Sequence, residues 1–216
     1  MVVGCRAVEL IPTVISIGYA AGLNAYGTVV LLNLLGRVGF GEVPEPLTGD
    51  TVLIGAAVMY AIEFVTDKIP YLDSLWDVAH TVIRPAVASL IGVEFAAFEQ
   101  VSTAEEIVAG GASGGTSLVS HGIKAGVRLG INASPEPVSN ILVSLAEDGI
   151  VAVVIALVLA EPLVALAVVI VLLAIGIALI LLLRRAIRRG MRNRGRRGES
   201  RAPPEEQEPP APPSGP

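Results

Sequence analysis

The stretch EFVTDKIPYLDSLWDVAHTVIR, residues 63–84, sets Glu63, Asp67, Lys68, Asp73, Asp77, His80 and Arg84 between two apolar runs of an otherwise greasy chain. On a helix starting near Asp73, positions 73, 77, 80 and 84 fall at i, i+4, i+7 and i+11, so their side chains stack on one face. Glu63 and Asp67 are likewise four apart, on the helix that leads into the Pro70 turn. Inside a bilayer such groups must face one another or water, because hydrocarbon cannot hold them. Whether this stretch lies in a membrane therefore decides the fold.

The surrounding composition says that it does. The chain has 216 residues, 53% of them hydrophobic and only 4% aromatic, with a mean hydropathy of +0.70, well above the balance of a soluble domain. The net charge of −5 hides a division. Residues 1–183 carry six basic and sixteen acidic side chains, a balance of −10, while residues 184–216 carry nine Arg and four Glu, a balance of +5. A membrane protein with a basic cytoplasmic tail sorts charge in this way.

Working outward, residues 8–38 contain no charge between Glu9 and Arg37, which exceeds the ~20 residues needed to span. Gly18, Gly22 and Gly27, with Ala20, Ala21 and Ala25, permit close helix packing. Asn24 is an amide at mid-depth, either an interhelical hydrogen-bonding group or one that lines a cavity. Residues 39–50 and 99–115 read as loops rich in glycine and acid. Pro85 is expected to kink the helix that carries Arg84. His121, Lys124 and Arg128 recur at i, i+3 and i+7, again on one face. Ser134 followed by Pro135 reads as a helix start, and the helix that follows carries Ser139, Asn140, Ser144, Glu147 and Asp148. Residues 162–183 are uncharged and form the cleanest spanning segment.

The expectation is an all-α, polytopic membrane helix bundle of about six spans, near 10–37, 51–68, 73–98, 116–132, 138–160 and 162–183. The nine Arg between Arg184 and Arg201 directly follow the last span, which is expected to place that end, and by counting the N-terminus, in the cytoplasm under the positive-inside tendency. Residues 184–201 then meet anionic lipid headgroups, at about 1 kcal/mol per residue near the surface. Nucleic acid is not the expected partner of these arginines, and a homo-oligomer is left open. Residues 202–216, APPEEQEPPAPPSGP, have the composition of a disordered tail. Cys5 is the single cysteine, so no intramolecular disulfide forms. No cleavable signal sequence precedes the first apolar helix.

A faint internal repeat is also visible. A shift of 65 residues lays TVLI (51–54) over TSLV (116–119), Glu63 over Arg128, Pro70 over Pro135 and Ser74 over Ser139. Two helical hairpins related in this way run in the same sense through the membrane, one known transporter plan. The shift sets Glu63 against Arg128 across a pseudo-axis.

Each charge at the centre of a span costs roughly 2.5–3.5 kcal/mol on insertion scales. Pairing offsets part of that cost, although buried pairs seldom recover their desolvation. Asn24, Glu63, Asp67, Asp73, Asp77, His80, Arg84, His121, Lys124, Arg128, Glu147 and Asp148 are therefore candidates for a substrate- or ion-handling site. Read blandly, the same charges lock the hairpins together, and each histidine is a hydrogen-bonded helix residue. Catalytic signals are weak. No two histidines sit at ligand spacing on one helix, and no nucleophile elbow, phosphate-binding loop or dinucleotide fingerprint occurs. The paired carboxylates Asp73 and Asp77 lack the further acidic and glycine positions of a magnesium-dependent phosphotransferase. No catalytic residue, metal or cofactor is assigned, and an enzyme is the less favoured reading.

GLNAY (22–26), EFVTDKIPYLDSLWDVAHTVIRP (63–85) and HGIKAGVRLGINASPEPVSNILVSLAED (121–148) together resemble a bacterial integral membrane family known as domain of unknown function 4126, over about residues 8–180. The resemblance implies a multi-pass membrane protein and supplies no activity or site residue. Two readings stand: a small transporter or channel-like protein for an ion or a small polar or anionic solute, and a membrane scaffold or assembly factor whose charges are structural.

Overall fold

The computed structural model describes residues 3–69, 72–132 and 137–199. Among them the chain is helical throughout: α1 (Val3–Leu23), α2 (Ala25–Arg37), α3 (Asp50–Thr66), α4 (Leu72–Phe98), α5 (Thr103–Asn132), α6 (Pro137–Ala160) and α7 (Pro162–Glu199), with one short 3₁₀ turn at Glu45–Thr48. The chain divides into two compact units, Met1–Ile180 and Leu181–Pro216. In the second, the described residues are the Arg-rich end of α7. The Pro/Glu-rich tail falls outside the described residues.

The inside and outside of the first unit are exchanged relative to a soluble protein. Its most completely buried large side chains include Arg84, Arg128, Glu63, His80 and His121, whereas Val82, Leu75 and Leu129 are 74%, 68% and 65% exposed. Water would reverse that arrangement, since ionised groups are almost never fully buried and apolar ones normally are. A hydrocarbon solvent produces it. Among the described residues three helices are long and apolar enough to cross a membrane, over Leu75–Phe98, Val138–Ala160 and Pro162–Ala186, and Glu9–Leu23 is a shorter apolar helix. The protein is a membrane helix bundle.

α5 lies at the centre, packed along α4 on one side and α1 on the other. Small residues make both contacts possible. A Cβ on Gly18 of α1 would strike the backbone of Ser113, and one on Gly114 of α5 would strike Ser89 and the Pro85 carbonyl of α4. Backbones this close gain dispersion contacts that larger side chains would prevent. An apolar core of Leu10, Val14, Ile17, Leu32, Ile91, Phe95, Val151, Val154 and Val158 completes this part of the bundle.

Two boundaries differ from the sequence reading. Residues 10–37 are two helices, not one. Asn24 between them is extended (φ −151°, ψ 102°), and its Oδ1 accepts from the Gly27 amide at 2.7 Å. An asparagine that caps the next helix with its own side chain competes with continuation of the previous one. The connection 99–115 is also mostly helix, because α5 begins at Thr103. Its start is a capping box: the Ser102 hydroxyl and amide both donate to Glu105 Oε2, at 2.7 and 2.8 Å. Those bonds hold the Glu105 carboxyl below its ordinary range. Of the glycines that suggested a loop, Gly110 and Gly114 are instead packing positions against α4, while Gly111 and Gly115 lie on the open face of the helix. α4 continues through Pro85 to Phe98. α6 is described from Pro137, so the expected start at Ser134 falls outside the described residues.

Candidate functional site

Four helices bring the ionisable residues together at one end of the bundle. α3 supplies Glu63, with Asp67 at its C-cap; α4 supplies Asp77, His80 and Arg84; α5 supplies His121, Lys124 and Arg128; α6 supplies Glu147 and Asp148. Except for Asp148, which is half-buried, all of these are buried. The backbone of Asp73 is part of α4, while its side chain falls outside the described residues.

Arg84 is the first node. Its Nη2 donates to Glu63 Oε1 at 2.5 Å, and its Nη1 donates to the Gly22 carbonyl at 3.2 Å and to His121 Nδ1 at 2.7 Å. The same Nη1 lies 3.3 Å from Asp77 Oδ1. Lys124 is the second. Its Nζ donates to Asp67 Oδ2 at 2.6 Å and to the Leu23 carbonyl at 2.9 Å, and stands 3.5 Å from Glu147 and 4.0 Å from Glu63. Arg128 is the third, donating to Glu147 Oε2 at 2.5 Å, to Asp67 Oδ2 at 3.1 Å and to the Asp67 carbonyl at 2.7 Å. Charge-assisted bonds of this kind are the strong ones, and here they join into one continuous chain.

The break at Asn24 is part of this chain. Ending α1 inside the bundle leaves its last carbonyls without helical partners, and these are the negative end of the helix dipole. Arg84 takes Gly22 and Lys124 takes Leu23, and one turn earlier the Ser120 hydroxyl adds a bond to the Tyr19 carbonyl at 3.0 Å. Two fixed cations thus occupy the place where a discontinuous membrane helix presents its carbonyls. On the other side of the break, Asn24 Nδ2 donates to Asp148 Oδ1 at 3.1 Å. Asn24 and Asp148 also line a cavity of about 120 Å³ with Gly27 and Tyr60. Asn24 therefore meets both descriptions that the sequence left open.

Each histidine ring is oriented by partners at both of its nitrogens. His121 Nδ1 must accept from Arg84, which leaves Nε2–H for the Asp77 carbonyl at 3.1 Å. His80 donates from Nδ1 to the Trp76 carbonyl at 2.9 Å, and its Nε2 is hydrogen-bonded to the Tyr26 hydroxyl at 3.3 Å. Both are hydrogen-bonded helix residues.

The repeat-based pairing of Glu63 with Arg128 is replaced by a different one. Among the described residues Glu63 takes Arg84 and Lys124, whereas Arg128 takes Asp67 and Glu147. α3 and α5 do run in the same sense, since Arg128 and Asn140, from the α5–α6 hairpin, both donate to the Asp67 carbonyl at the end of α3. Their packing is not duplicated: α4 lies along α5, while α3 rests chiefly on α2. Sequence reasoning left out Asn140, although it shares a face with Ser144 and Glu147. It also left out Tyr26 and Thr81, whose partners lie on other helices. Among the described residues no three His, Cys, Asp or Glu side chains converge as a metal-binding group.

The fold and this interior define a helical membrane protein with a charged core enclosed in apolar helix faces. The chain belongs to the family described as Domain of unknown function (DUF4126), whose sequence profile matches residues 11–182. No curated protein and no solved structure matches it.

Proposed function

We propose that the protein is a small membrane transporter that couples movement of its solute to a proton or another monovalent cation at the charged core. The observation that carries this reading is the charge balance of the connected network. Among the described residues Glu63, Asp67, Asp77 and Glu147 share Arg84, Lys124 and Arg128, four carboxylates to three cations in a buried setting. An isolated buried carboxylate is expensive enough that it takes up a proton or a cation. The three basic residues are already engaged by carboxylates and carbonyls, which favours a cationic exchangeable species over an anionic one. The break at Asn24 adds support, because interrupted helices at membrane depth recur where transporters bind ions.

We further infer a multi-pass protein of the bacterial inner membrane with both termini cytoplasmic. The support is the arginine-rich sequence that follows the last apolar segment, and the same arginines suit anionic headgroups.

The test is reconstitution into phosphatidylethanolamine–phosphatidylglycerol vesicles that enclose a pH-sensitive dye. The vesicles are challenged in turn with an electrical potential and with gradients of sodium, potassium and organic monocations. At least one challenge should move protons faster than in protein-free vesicles, and Glu63→Gln should alter that rate in protein that still elutes as a single species. Vesicles as proton-tight as empty ones under every challenge would end the transport reading.

A second reading, a scaffold or assembly factor, draws on a different observation. The network's cations are closed over by their own carboxylates at 2.5–3.1 Å. On that reading Glu63→Gln lowers abundance and folding and leaves no flux to alter.

A further inference from the structure

The four carboxylates do not share their cations evenly. Glu63, Asp67 and Glu147 each accept a hydrogen bond from a cationic nitrogen, at 2.5, 2.6 and 2.5 Å. Among the described residues Asp77 reaches only Arg84, at 3.3 Å, and neither of its oxygens accepts a hydrogen bond although the residue is 3% exposed. The groups that face it are otherwise committed. From α4, Arg84 is held by Glu63, Gly22 and His121. From α5, His121 donates to the Asp77 carbonyl, Lys124 is held by Asp67 and Leu23, and Arg128 by Asp67 and Glu147. From α3, Asp67 adds a further negative charge to its surroundings. The surplus charge of the network therefore falls at Asp77.

Asp77 also lines a crevice of about 140 Å³ between α4 and α5, with Val78, Thr81, Ala125 and Leu129. Val78 and Leu129 are 71% and 65% exposed, so the crevice opens on the apolar outer face of the bundle. Its walls are hydrocarbon apart from Thr81, whose hydroxyl donates back to the Asp77 carbonyl at 3.0 Å. A hydrated inorganic ion would find no replacement for its water there, since hard cations need several oxygen ligands. A cation that carries its own apolar surface would keep that surface against Val78 and Leu129 and its charge against the carboxylate.

We propose that this crevice binds an organic monocation of the substituted-ammonium class, reached from the membrane side, and that binding displaces a proton from Asp77. The exchange is an ion-pair substitution. The carboxyl O–H bond breaks, its proton leaves to water, and the cation takes up the freed charge with no covalent bond formed. Coupling of the exchange to transport rests on the reading in the preceding section; binding itself does not.

The experiment measures radiolabelled tetraethylammonium binding to the full-length protein in detergent at pH 6 and pH 8, with proton release followed in weak buffer. Saturable binding that tightens at pH 8, with up to one proton released per cation bound and more released at pH 6 than at pH 8, is expected. Asp77→Asn should abolish both signals. Leu129→Trp should weaken binding by occluding the crevice, while Val153→Trp, at an exposed position on α6, should not. Absence of saturable binding by the wild type, retention of binding in Asp77→Asn, or equal competition by sodium each overturns the proposal. If Asp77→Asn does not fold, the contrast between the two tryptophan variants and the sodium competition decide. Binding without vesicle flux would leave the crevice standing and remove transport; flux without binding would do the reverse.

Discussion

The same three helices, α1, α4 and α5, are held together in two different ways along their length. At one end the contacts are steric. Gly18 sits on the backbone of Ser113, Gly92 on Ala109 and Ser113, and Gly114 on Ser89 and Pro85. At the other end, where α1 stops before Asn24, the same helices meet through Arg84, Lys124 and the carbonyls of Gly22 and Leu23, with Glu63 of α3 joining them. A backbone contact made through glycine has one arrangement, since any added atom collides. An ion network has several of similar energy, because each cation stands near more than one carboxylate. The contrast teaches that the glycine end fixes helix position, which leaves the charged end free to exchange partners without the bundle coming apart.

The largest expected effect comes from removing a node of the network. Arg84→Met strands Glu63 and Asp77 in a buried site, and breaking a buried pair in this way costs about 3–5 kcal/mol. The measurement is thermal unfolding in detergent, with yield as a second readout. Glu63→Gln combined with Arg84→Met should recover much of the loss, since replacing both members of a buried pair is often close to neutral. A double variant as unstable as Arg84→Met alone would show that the guanidinium's bonds to Gly22 and His121 outweigh its ion pair, and the charged end would then be as rigid as the other.

A smaller effect is expected at the glycine end. Gly18→Val pushes two methyl groups into the Ser113 backbone, and overpacking of that kind costs typically about 1–3 kcal/mol. Gly115→Ala on the open face of α5 meets nothing within 4 Å. It should instead raise stability by roughly 0.5–1 kcal/mol, the difference in helix propensity. Unfolding temperatures that move in opposite directions for the two variants would support steric fixing. Similar losses in both would mean that helix continuity, not close approach, limits this end.

How far the sequence reached follows the same division. The faces formed by Asp77, His80 and Arg84 and by His121, Lys124 and Arg128 were legible because an ionisable residue in an apolar helix can turn only inward. Which carboxylate meets which cation was not legible. Glu63 finds Arg84 and not Arg128 because helix rotation and depth are set by contacts such as Gly18 on Ser113, which carry no charge signal. The break at Asn24 was hidden because one asparagine barely lowers the hydropathy of residues 10–37. The start of α5 was visible in principle as the Ser102–Glu105 capping box, but the glycines at 110, 111, 114 and 115 spoke for a loop. Their cost in a helix is offset only where α4 packs against them, at Gly110 and Gly114, and tertiary packing is not written in local propensity.

A loss smaller than that of Arg84→Met is expected at the residue that joins the two ends. Asn24 caps α2 through the Gly27 amide and also donates to Asp148, so its replacement separates a local role from a long-range one. Asn24→Ala loses both, and loss of the cap alone is worth about 1 kcal/mol. Asn24→Ser keeps a capping oxygen and loses the reach to Asp148. If the break is held by its cap, the serine variant should unfold close to the wild-type temperature while the alanine variant falls below it. Equal falls would assign the residue's weight to Asp148. The break would then be maintained from the α6 side, and the carbonyls of Gly22 and Leu23 would depend on the charged end for their placement as well as for their hydrogen bonds.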